Sequence, residues 1–96
     1  MADGMVQKPE YKIVKDVRQI TLSQMGNADI GINKNRPIFG IYSNDRYDST
    51  DGIALLLYFP NINDDWYVHA VKSSSLQNVI DKTISITVFY GELINT

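Results

Sequence analysis

The side chains best equipped for chemistry lie between Asn44 and Asp51. Asn44, Asp45, Arg46, Tyr47 and Asp48 place an amide, two carboxylates, a guanidinium and a phenol in five consecutive residues, and Asp51 follows three later. Oxygen-rich sets of this kind can coordinate Ca²⁺. The Asp-x-Asp-x-Asp-Gly order of an EF-hand loop is absent, however, and no Glu stands at its twelfth position, so the segment reads as a solvated turn and no metal site is assigned. A ring flanked by charged hydrogen-bonding groups is also what sugar recognition needs, because the ring face stacks while carboxylates and guanidinium take hydroxyls. Asp45, Arg46, Tyr47 and Asp48 are therefore the candidate ligand-binding residues. Asp64 and Asp65, directly before Trp66, offer a second pairing of acid and aromatic. Trp66 shares its strand phase with Val68, which places it in the core instead.

Catalytic readings find little support. His69 is the only histidine, so any Ser-His-Asp arrangement would have to be built around it, and no nucleophile elbow accompanies it. In mid-strand, in phase with Tyr67 and Val71, it reads as a surface or interface residue. The two glutamates, Glu10 and Glu92, fall at strand ends, and the aspartates fall in turns, which leaves no paired carboxylates of a glycosidase. The chain has no cysteine, hence no thiol nucleophile, thiolate metal site or disulfide framework. The reading is a non-enzymatic protein with no catalytic residue and no cofactor.

The elements that must position these residues are strands. With 96 residues there is room for one domain, assigned to 10–96, with 1–9 set aside as a flexible start or cloning remnant. Period-two alternation recurs along the chain and helical periodicity does not, which predicts an all-β fold: an antiparallel β-sandwich, jelly-roll-like, of six to eight short strands. Tyr11 to Leu22 is an extended stretch broken near Asp16, with Ile20 and Leu22 on one face. A turn-rich segment from Met25 to Arg36 holds a short strand at Ile30 to Ile32. The next strand is Ile38 to Tyr42, where Gly40 signals a bulge or close approach. Ile53 to Phe59 is apolar on both faces, as in a central strand or in one whose outer face meets another subunit. Trp66, Val68 and Ala70 alternate with Tyr67, His69 and Val71. Leu76 to Ile80 suggests one helical turn. Ile84, Ile86, Val88 and Tyr90 form the buried side of the last strand. Up-and-down hairpin connections would bring loops 44–52 and 72–82 to one end and loops 24–37 and 60–64 to the other.

Charge and hydropathy narrow the partners. A net charge of −2 lacks the basic footprint of nucleic-acid binding, so nucleic acid is excluded as a partner. The longest apolar run, Ile53 to Phe59, is too short to span a bilayer, and no membrane insertion is expected. The outer faces of the two middle strands carry more apolar surface than a chain this small can hide. Leu56, Tyr58, Tyr67 and His69 are accordingly the candidate interface of a homo-oligomer, with a trimer or dimer expected.

The last third of the chain also resembles a known class. Asp64-Asp65-Trp66-Tyr67-Val68-His69-Ala70-Val71, then a serine-rich loop, then Ile84-Ser85-Ile86-Thr87-Val88-Phe89-Tyr90, resembles the closing strands of bacteriophage tail-fibre and receptor-binding-protein tip domains. Pro37 to Tyr42 resembles their central strand. The resemblance implies a knob in a virion, extracellular when functioning, that adheres to a host-surface saccharide. A second implied role is a structural decoration, baseplate or assembly protein with no glycan ligand.

Overall fold

The computed structural model describes residues 10–61 and 64–94, and their regular structure is entirely strand. The reading of residues 1–9 lies outside the described residues. Six strands follow in chain order: β1 (Tyr11–Thr21), β2 (Asn27–Asp29), β3 (Ile38–Ser43), β4 (Ile53–Tyr58), β5 (Tyr67–Lys72) and β6 (Thr83–Leu93). They form two antiparallel sheets of three strands, ordered β1-β6-β3 and β2-β5-β4.

The β-branched alternation of β6 determines where the core sits. Ile84, Ile86 and Val88 all point one way and are at most 1% exposed, as are Val68 and Ala70 of β5 in the other sheet. Leu22, Ile30, Ile32 and Val79 join them in one connected cluster that draws on both sheets. Burial of each large aliphatic side chain here is worth about 1.5–3 kcal/mol. Trp66 is only partly buried: it packs against the edge of the cluster, and its ring meets Phe59 edge-on with centroids 4.9 Å apart.

Several local expectations are corrected. β1 is continuous through Asp16, because Asp16 and Arg18 sit two apart on one face and close a 2.8 Å ion pair. The short strand falls at Asn27–Asp29, where the backbone registers with Tyr67 to His69. Ile30 to Ile32 still hydrogen-bonds to Trp66 on both sides, but Gly31 at φ +74° bends the chain out of strand geometry. No helical turn forms at Leu76 to Ile80. Leu76 adopts φ +63°, Asn78 bridges Val71, and the Val79 N–H donates to the Ala70 carbonyl. Gly40 does mark a bulge, between Ile38 and Gly40 of β3.

Hairpin connectivity is the largest correction. Only β4 and β5 are both consecutive and paired, while the chain switches sheets from β1 to β2, β2 to β3, β3 to β4 and β5 to β6. β4 is thus an edge strand of its sheet, and its two-sided apolarity does not come from a central position. Loops 44–52 and 72–82 nevertheless meet, through Ser73 N–H on the Gly52 carbonyl at 3.0 Å.

Candidate functional site

The 44–52 loop is built from its own polar groups. Asp45 Oδ2 accepts the Ser85 N–H at 2.8 Å, which satisfies β6 where β3 has ended. Asn44 Oδ1 accepts the Thr87 hydroxyl at 2.8 Å, giving that buried threonine its partner. Asp51 takes both the N–H and the hydroxyl of Ser74, at 3.0 and 2.7 Å. Asp48 accepts the Thr50 N–H at 2.8 Å and the Thr50 hydroxyl at 2.9 Å, and these bonds hold its carboxyl below the ordinary value. Tyr47 packs against the core, with Lys72 Nζ 4.2 Å and Lys82 Nζ 5.4 Å from its ring centroid. Of the four candidate ligand residues, only Arg46 is exposed without an internal polar partner among the described residues.

The four candidate interface residues come together. Antiparallel register sets Leu56 opposite His69 and Tyr58 opposite Tyr67 on the outward face of the β4–β5 pair. Leu56 is 58% exposed, and the two tyrosine rings lie 6.0 Å apart. Burial, with the neighbouring Tyr67 phenol, pushes the Tyr58 pKa up. His69 Nδ1 lies 2.7 Å from Asn27 Oδ1, so the imidazole is fixed by β2.

A second apolar face lies on the other sheet and was not singled out from the sequence. Ile13, Val17 and Tyr42, each at least half exposed, share the outward side of β1 and β3 with the Phe89 ring, 6.5 Å from Tyr42, and with Lys15, whose Nζ lies 6.0 Å from the Phe89 centroid. The signal was present in β1, where Ile13 and Val17 fall out of phase with Ile20 and Leu22.

Sequence reasoning also passed over a cleft at the end of the molecule that holds residues 30–37. Arg18 of β1, Tyr90 of β6, Asn33, Arg36 and Asp65 line a cavity of about 330 Å³. Arg18 is in phase with Ile20 and Leu22, and an arginine on the buried face of a strand was the available clue. Among the described residues no group of three or more His, Asp or Glu side chains gathers that could hold a metal ion.

Set beside known protein families, characterised proteins and solved structures, the chain matches none of them. Its description therefore stands on fold and surface: an all-β protein of two three-stranded antiparallel sheets, with an apolar face on each. No helix among the described residues is long and apolar enough to cross a membrane.

Proposed function

We propose that the chain is a non-enzymatic, jelly-roll-like β-sandwich module of a phage or prophage virion that works by assembly, its β4–β5 face docking on further copies of itself, with a trimer favoured. The virion setting rests on the likeness of residues 64–71 and 84–90 to fibre-tip strands. The strand order supports the jelly-roll form, since β1-β6-β3 and β2-β5-β4 are what remains of the eight-stranded order when its fifth and sixth strands are removed.

The outward square of Leu56, Tyr58, Tyr67 and His69 carries the assembly reading. Leu56, Tyr58 and Tyr67, with Ala54 beside them, give this face an apolar centre, and Asp29 of β2, opposite Tyr67, puts one carboxylate at its rim. Leu56→Glu is expected to reduce the mass measured by light scattering to that of a monomer while leaving the thermal midpoint close to the parent. A parent protein that is already monomeric at high concentration would overturn the proposal.

Receptor adhesion through the 44–52 loop is the second reading, favoured by Arg46. Its neighbours are locked by hydrogen bonds to Ser85, Thr50 and Ser74, so the free guanidinium stands on a preorganised loop. In that case Arg46→Ala leaves the mass untouched and lowers binding on a glycan array.

A further inference from the structure

We propose that the cleft between β1, β6 and residues 30–37 is a binding site for an acidic monosaccharide, one that carries a carboxylate beside vicinal hydroxyls. It lies away from the β4–β5 face and the 44–52 loop, and it stands independently of both readings above.

The cleft is an arranged feature. Arg18 is held from two sides, its Nε donating to Asp16 at 2.8 Å and its Nη1 to the Ile30 carbonyl at 2.7 Å. Gly31 makes room for this, since a Cβ there would lie 3.0 Å from Nη1 on a backbone already at φ +74°. Arg36 is fixed through its backbone: its N–H donates to the Asn33 carbonyl at 3.0 Å, and its carbonyl accepts Trp66 Nε1–H at 2.9 Å. The two guanidinium carbons stand 5.7 and 5.8 Å from the centroid of the Tyr90 ring.

What the cleft leaves unsatisfied defines the ligand. Asp16 balances the charge of Arg18, but the Arg36 guanidinium has no hydrogen bond or ion pair among the described residues, and neither has the Asp65 carboxylate. Both line the same cavity without closing on each other. A ligand that completes the site must accept from Arg36 and donate to Asp65 at once. A carboxylate matches the guanidinium fork. A hydroxyl donates to Asp65 and accepts from Asn33, whose Oδ1 is already taken by the Asn35 N–H. Inorganic phosphate carries more negative charge than a carboxylate and is repelled more strongly by Asp65, and a neutral sugar leaves Arg36 without a counter-charge. The volume of about 330 Å³ sits at the small end of the roughly 300–1,000 Å³ of ligand sites, which suits one ring rather than an extended chain.

The test is an NMR titration of the full chain with methyl β-glucuronide, methyl β-glucoside and inorganic phosphate in parallel. Saturable shifts of the amides of residues 31–36 and 65 are expected with the glucuronide in the millimolar range, with binding about tenfold weaker for the glucoside and for phosphate. Arg36→Gln is expected to remove glucuronide binding, and Asp65→Asn to weaken it. Trp66 fluorescence reports that both variants keep the fold, because the Arg36 carbonyl that receives the indole is untouched. The proposal is overturned if the glucuronide causes no saturable shifts. It is equally overturned if phosphate binds as well as the glucuronide and Asp65→Asn strengthens both, the behaviour of a general anion site.

Discussion

Asp48 shows how little of the polar loop is left for a ligand. Its carboxylate accepts two hydrogen bonds from Thr50 and has its pKa lowered from the ordinary 3.8, so its ionised form is favoured by the folded state. A depressed carboxyl contributes stability that is present above the unfolded pKa and lost as pH falls through the folded one. Asp48→Asn is therefore expected to be slightly less stable than the parent at neutral pH and to have a flatter acid limb, the two converging as pH falls below 3.8, as read by urea melts across pH. Tyr58 has the opposite sign. Burial raises its pKa above 10.0, so the neutral phenol is favoured on folding, and that contribution is lost as pH rises through the folded value. Tyr58→Phe is expected to make unfolding less sensitive to pH above 10.0, which alkaline melts would show directly. The residue types of the 44–52 loop were plain in the sequence, but their engagement was not. Asp45 is spent on Ser85, forty positions away, and Asp51 on Ser74, twenty-three away, and no local pattern encodes such pairings.

Strand identity was legible wherever alternation was strong. β6 shows this best, with Ile84, Ile86, Val88 and Tyr90 all on the buried side. Alternation assigns a face to each residue but says nothing about which strand lies beside it, so the sheet-switching connections could not be read from it. Irregular backbone was also hidden: Leu76 at φ +63° turns an apparent helical turn into a bridge to β5. At Gly91 the packing between elements is tight enough to test. A Cβ there would stand 2.7 Å from Pro37 Cγ and 3.0 Å from Tyr11 Cδ1, where β6 is gripped between β1 and the start of β3. Gly91→Ala is expected to cost about 1–3 kcal/mol in denaturant unfolding, because neither the proline ring nor the paired strand can withdraw freely.

At the scale of the whole molecule, the two outward faces matter together. Leu56 and Tyr58 face away from one sheet, and Ile13, Val17 and Tyr42 face away from the other. A module apolar on opposite sides can be wedged between neighbours, which suits a shell or fibre better than an isolated pair. The Leu56→Glu experiment then has a natural companion, because Val17→Glu would act on the second face alone. The ladder of β1 and β6 carries one more consequence. Tyr11 pairs with Leu93 and Thr21 with Thr83, and the Ile94 N–H donates to the Glu10 carbonyl at 3.0 Å, so both described ends leave from the same rung. Tension drawn across those two ends falls on one rung at a time rather than shearing all eleven together. In a single-molecule stretching experiment the domain should open like a zipper at low force, and a load-bearing role would require that it be held by one end alone.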